Sequence, residues 1–76
     1  MGVSKRKVYC TFPKQLIKEP LLYNLGRNFS VVPNIRKAEV DADMAVMVLE
    51  LEGEEANLEA AIAWLRDKGA KVEVDE

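Results

Sequence analysis

The sequence predicts an α+β sandwich of order βαββαβ, a four-stranded antiparallel sheet with both helices on one face. Three observations predict it. Four short stretches alternate apolar and polar residues at the period of two that belongs to a strand. Two others repeat apolar residues at helical spacing. The second and third strand stretches are parted by Ala42-Asp43 alone, a connection that fits an antiparallel hairpin. In this order two helices cannot shield opposite faces without breaking the right-handed crossover rule, so both belong on one side.

The first strand is read over Lys5 to Phe12, where Val8, Cys10 and Phe12 alternate with Tyr9 and Thr11. Pro13 ends it, because proline donates nothing to a ladder. Gln15 to Glu19 is expected as a loop that carries Leu16 and Ile17. Pro20 suits the first turn of a helix, where a missing N–H costs nothing. Leu22, Leu25 and Phe29 form that helix's stripe, and Leu21 widens it. Gly26 costs the helix about 1 kcal/mol relative to alanine, so a close approach to the sheet is its expected reason.

Val31 to Asp41 is the second strand and Met44 to Glu52 the third. Gly53 breaks the latter, and Glu54 and Glu55 place negative charge at a helix N-terminus. Leu58, Ala61, Ile62 and Leu65 give the clearest amphipathic pattern in the chain, with Trp64 expected half-buried beside it. Arg66 and Lys68 fall in the last turn, with Gly69 as the residue just beyond. Lys71 to Val74 is a short last strand, Val72 and Val74 inward. The arrangement is that of a ferredoxin-like sandwich, one domain over residues 1–76 with an ordered core over about 5–74.

Hydrophobic residues make up 49% and charged residues 32%, a mixture that folds rather than stays disordered. A core of this size rarely supplies more than roughly 3–5 kcal/mol, so small domains lean on staples, metals or partners. With one cysteine and no histidine, an intramolecular disulfide and a zinc site of Cys and His are both excluded. A partner subunit remains. The lone thiol suits a reducing, cytoplasmic compartment. A net charge of −2 argues against a nucleic-acid partner, and Lys5-Arg6-Lys7 reads as a solvated strand start. No apolar run approaches the roughly 20 residues of a membrane span, and the N-terminal stretch has no long apolar core of the signal-peptide kind.

One-sided cover leaves a bare sheet face. In the third strand Ala45, Met47, Leu49 and Leu51 are assigned inward, which sends Val46 and Val48 to the open face. Tyr9 and Thr11 join them, and Ile35 is placed there too. An apolar patch of this kind marks an interaction site, and a symmetric homodimer is the simplest way to cover it.

Reacting groups are harder to find. Cys10 lies on the inward row and reads as a small core hydrophobe. Asp41 with Asp43, and Glu50 with Glu52, are turn and strand-face acids without calcium-loop spacing. Gly53 and Gly69 make no phosphate-binding fingerprint. Lys14, Arg27, Arg36 and Lys37 could hold a carboxylate, though they are scattered along the chain. The residues point to a non-enzyme that needs no cofactor.

A Pro-Leu-Leu helix start, Asn34-Ile35 at the head of the second strand, "LELEG" ending the third and the closing "AIAWLRDKGAKVEV" follow one another in order. This succession resembles the NIL domain, named for an Asn-Ile-Leu signature, over about Lys5 to Val74. The chain departs from it in two places: the signature reads Asn34-Ile35-Arg36, and Met44-Ala45-Val46 opens the third strand without the usual glycine, after a shorter hairpin. Both lie near where an interface ligand would sit. Arg36 is expected either to pair with a partner's acid or to be solvated at the sheet edge.

The resemblance implies the ferredoxin-like fold and a regulatory role. Such domains close methionine-importer ATPases, where they pair with a twin and bind methionine to inhibit transport. They also precede iron–sulfur ferredoxin modules of sulfur amino-acid metabolism, or stand alone. Thr11 to Lys14, "TFPK", looks more like the latter two groups. Two functions follow as expectations. One is a homodimeric sensor of methionine or a related amino acid, with Asn34, Ile35, Arg36, Leu16, Ile17, Val46, Val48 and Tyr9 at the ligand or dimer interface and a transporter as partner. The other is an accessory docking module of a ferredoxin-type or sulfur-metabolism assembly; an end at Val74-Asp75-Glu76 is what a cut ahead of a Cys-rich ferredoxin region would leave. Pro33 fits an edge strand, and Asn34 is expected to cap nearby backbone as that strand begins.

Overall fold

The computed structural model describes residues 2–17 and 20–75, with the backbone alone at 14 and 17. Strand β1 is Ser4–Pro13, followed by a single helical turn α1, Lys14–Ile17, and helix α2, Leu21–Phe29. The hairpin strands are β2, Val32–Val40, and β3, Met44–Gly53; helix α3, Glu55–Asp67, leads to β4, Lys71–Asp75. The sheet order is β2-β3-β1-β4, and each neighbouring pair is antiparallel. This is the expected ferredoxin-like α+β architecture.

The central pair β1–β3 sets both faces. Val8 lies opposite Leu49, Cys10 opposite Met47 and Phe12 opposite Ala45, so the assigned inward rows share one side. Val72 and Val74 of β4 extend that side beyond Cys10 and Val8. Helix α2 buries Leu21 and Leu25 in the same cluster, and α3 buries Leu58, Ala61, Ile62 and Leu65. The helices also touch each other: the Phe29 and Trp64 rings lie 5.7 Å apart and tilted, and the Lys68 ammonium sits 5.4 Å from the Trp64 ring centre. Arg6, at the inward start of β1, pairs with Glu55 at the start of α3. Cys10 is fully buried, and burial pushes its thiol up to about 11, which keeps it protonated and inert as a core residue should be.

Two junctions are closed by side-chain and backbone chemistry readable in the sequence. The hairpin turn has no glycine because Asp41 replaces backbone partners. Its Oδ1 accepts from the Asp43 N–H at 2.9 Å and the Met44 N–H at 2.8 Å, while its own N–H donates to the Met44 carbonyl. At the end of α3, Gly69 adopts φ 102°. Its N–H reaches the Arg66 carbonyl at 3.0 Å, and the Ala70 N–H reaches Leu65 at 3.1 Å. A side chain would strain that conformation.

Three local expectations change. The segment after Pro13 is helical over Lys14–Ile17 where a loop was expected from Gln15; residues 18 and 19 of that loop, and the Ile17 side chain, lie outside the described residues. Pro20 occupies the position before α2 rather than its first turn, and its carbonyl accepts the Asn24 N–H at 2.9 Å. Val31 lies outside β2, yet it is buried.

Leu49 sits at the centre of the inward row with no exposed surface. Truncation to Leu49→Ala removes its transfer energy and leaves a cavity, so urea unfolding should show a loss of about 2–5 kcal/mol.

Candidate functional site

The open sheet face has two ends of different character. Tyr9 lies opposite Val48 and Thr11 opposite Val46. Tyr9 is 41% exposed and Val46 46%, so this end presents real apolar surface; Val48 is half-buried. At the other end Lys7 faces Glu50 and Lys5 faces Glu52, opposite charges across neighbouring strands.

The head of β2 departs from simple alternation. As an edge strand it accommodates Pro33. Pro33 and Ile35 pair with Leu51 and Leu49, which puts both on the helix side. A bulge between Ile35 and Lys37 makes Arg36 the extra residue, after which Ala38 and Val40 face the helices. Ile35 therefore does not join the open face as expected. A phase carried back from Val40 and Ala38 sends it there, and the inserted residue reverses the phase.

Asn34 and Arg36 meet at Glu50. Asn34 lies opposite Glu50, and its Nδ2 donates to the Glu50 carbonyl in a long 3.4 Å contact, so the nearby backbone it meets as the strand begins is that of β3. The Arg36 guanidinium donates to Glu50 Oε1 at 2.7 Å. Arg36 is also solvated at the sheet edge as expected, its side chain 58% exposed on the edge strand β2. Its hydrogen bond is the chief reason the Glu50 carboxyl lies below its ordinary 4.5; burial opposes the shift, and the Arg36, Lys5 and Lys7 charges add to it. In the turn, the two backbone N–H donors lower Asp41 in the same direction.

On the helix side lies an apolar cavity of about 240 Å³, lined among others by Phe12, Leu16, Leu21, Leu22 and Met47. A separate open groove between α2 and the head of β2, bordered by Gly26, Arg27, Pro33 and Ile35, shares Leu22 and Tyr23 with the cavity as wall residues. Gly26 allows this close packing: a Cβ there would lie 3.2 Å from the Val31 carbonyl and 3.6 Å from the Pro33 ring.

The expected site residues thus divide in two. Leu16 lines the helix-side cavity and Ile35 the groove beside it. Tyr9, Asn34, Arg36, Val46 and Val48 belong to the open face. Phe12, Leu22, Tyr23 and Met47 were not singled out as site residues. Their signal is a mismatch of length. A nine-residue helix spans about 13 Å and a ten-residue strand about 33 Å, so α2 cannot cover the sheet to the hairpin end.

Among the described residues no three His, Cys, Asp or Glu side chains gather as a metal site, and no helix is long and apolar enough to cross a membrane. Fold and surface define a small α+β domain that offers an apolar groove and a half-apolar sheet face. The NIL domain model matches residues 7–74, and the chain belongs to that family. It is 39% identical over 67 residues to the methionine import ATP-binding protein MetN 1 of Salmonella typhimurium, covering 83% of this chain and 20% of that protein. It is 37% identical over 67 residues to the methionine import ATP-binding protein MetN of Escherichia coli K12, with the same coverage. The chain spans about one fifth of the length of these curated relatives. The crystal structure of the C-terminal domain of an ABC transporter/ATP-binding protein from Enterococcus faecalis superposes with a TM-score of 0.79 at 24% identity, over 91% of this chain and 81% of that one. A putative amidohydrolase/peptidase from Burkholderia cenocepacia shares the fold at a TM-score of 0.70 and 15% identity, over 99% of this chain and 28% of that one.

The Glu50 pairing predicts a pH dependence. A carboxyl whose pKa is lower in the folded state contributes stability that is full above its unfolded value and disappears as pH falls through the folded value. Glu50 and Asp41 both act in this sense, from ordinary values of 4.5 and 3.8. Between about pH 5 and about pH 3 the urea midpoint of Glu50→Gln should fall less steeply than that of the unmodified chain.

Proposed function

We propose that this chain is a regulatory domain that binds methionine or a closely related amino acid and works as a pair of identical domains. The observation that carries the reading is an apolar cavity lined by Leu16 beside a groove bordered by Ile35, the two sharing Leu22 and Tyr23 as walls, in a chain related to methionine import proteins. An unbranched thioether side chain suits a cavity lined by Met47 and Phe12, since sulfur packs well against aromatic edges. Ile17 belongs to the same ligand-binding segment in this reading. The ATP chemistry of the relatives is assigned to the four fifths of their length that this chain does not match. The domain itself performs no catalysis in this account, its partner is a transporter, and its compartment is cytoplasmic.

Pairing is assigned to the open sheet face, where Tyr9, Val46 and Val48 supply the apolar centre and the Lys5, Lys7, Glu50 and Glu52 end the polar rim. Asn34 and Arg36, joined at Glu50, lie beside that rim and connect the pairing face to the head of β2. The kinship to import proteins favours this reading over a ferredoxin-docking module.

A ligand bound by the folded state alone stabilises it by about 2.7 kcal/mol at a hundredfold excess over Kd. Thermal unfolding in a panel of amino acids at millimolar concentration should therefore show the midpoint rising with methionine and staying put with aspartate or serine. An unchanged midpoint with every sulfur amino acid would remove the methionine reading.

A further inference from the structure

The helix-side cavity and the groove that adjoins it at Leu22 and Tyr23 differ in chemistry. The cavity is apolar, with Phe12, Leu16, Leu22 and Met47 in its wall. The groove carries Arg27, in the last turn of α2. Of the four arginines, Arg6 pairs with Glu55, Arg36 with Glu50, and Arg66 donates to the Val72 carbonyl at 2.9 Å. Arg27 alone makes no hydrogen bond or ion pair among the described residues. Neither the cavity nor the groove has an acidic residue in its described lining. Arg27 and Pro20, which borders the cavity, stand seven residues apart along α2 and its entry, a separation of about 10 Å.

We propose that groove and cavity together form a carboxylate-anchored site, in which Arg27 holds the carboxylate and the cavity takes an unbranched apolar tail. The inference deepens the ligand reading above and rests on the same groove. A guanidinium presents a planar fork that matches a carboxylate, so an arginine with no partner among the described residues, in a groove beside an apolar cavity, selects an anionic head. The described lining adds a second condition: among the described residues an ammonium group on the ligand finds no counter-charge. The site therefore recognises tail and carboxylate, and it tolerates loss of the amine. Methionine and a medium-chain fatty acid share this chemistry.

Isothermal titration of the full chain and of Arg27→Gln separates the alternatives. The probes are L-methionine, 3-(methylthio)propionate without the amine, L-methioninol without the carboxylate, and hexanoate. Arg27 is exposed, so circular dichroism of the variant should match the parent. The expected result is that 3-(methylthio)propionate binds within about 3-fold of methionine, and methioninol about 10-fold or more weaker. Arg27→Gln should weaken the carboxylates by about 10-fold and leave methioninol unmoved. Methionine and methioninol binding alike, both indifferent to Arg27→Gln, would overturn the carboxylate anchor and leave the regulatory reading standing. Hexanoate binding through Arg27 without methionine binding would support the anchor and remove methionine as the ligand. No binding by any carboxylate at millimolar concentration would overturn the anchor.

Discussion

Everything in this molecule hangs on the central pairing of β1 with β3. Their register runs unbroken from Ser4 opposite Gly53 to Pro13 opposite Met44. It places Val8, Cys10 and Phe12 beside Leu49, Met47 and Ala45 on one side, and Tyr9 and Thr11 beside Val48 and Val46 on the other. Because a strand sends alternate residues to opposite faces, slipping that register by one residue would exchange the core for the surface. Both long helices dock on the inward row, and the edge strands β2 and β4 extend it. No polar or charged residue is buried among the described residues, so hydrophobic burial, unassisted by interior ion pairs, holds the layers together.

The same pairing creates the surfaces available for function. The helices are short against long strands, and the molecule is elongated, 42 × 23 × 17 Å, with the hairpin end of the sheet reaching past α2. Where the helix stops, the inward side of the sheet stays accessible as the cavity beside Met47 and Leu16. Where no helix packs at all, the outer side presents Tyr9, Val46 and Val48. One geometric fact, cover on a single face by elements shorter than the sheet, gives both the proposed ligand groove and the proposed pairing face. The bulge at Arg36 keeps them distinct: it holds Ile35 on the groove side while Arg36 and Asn34 engage Glu50 on the other.

The readable parts of the sequence were those that short-range rules govern. Alternation along Val8 to Phe12 and along Ala45 to Leu51 fixed the faces of the central strands, and the Leu58–Leu65 spacing fixed the buried stripe of α3. Gly69 and Asp41 carried their turn roles openly. What escaped depended on partners distant in sequence or on an irregularity without a composition cue. Arg36 shows no sign in its neighbourhood that it is an inserted bulge residue, so the face of Ile35 was misassigned. Its ion pair with Glu50 needs the cross-strand register, which local patterning does not supply. The helical turn Lys14–Ile17 follows Pro13 without a capping residue to announce it. Arg27 could be named as a cation in the sequence, but its position at the mouth of an apolar groove, with every other arginine engaged, belongs to the folded molecule alone.

The claim on which the account turns is that the uncovered side of the sheet is a meeting surface for a second copy. Sedimentation equilibrium of the unmodified chain and of Val46→Glu measures it directly. The account predicts twice the 8.6 kDa chain mass for the former and the single-chain mass for the latter, with the same circular dichroism. A single 8.6 kDa species at every concentration of the unmodified chain would contradict it.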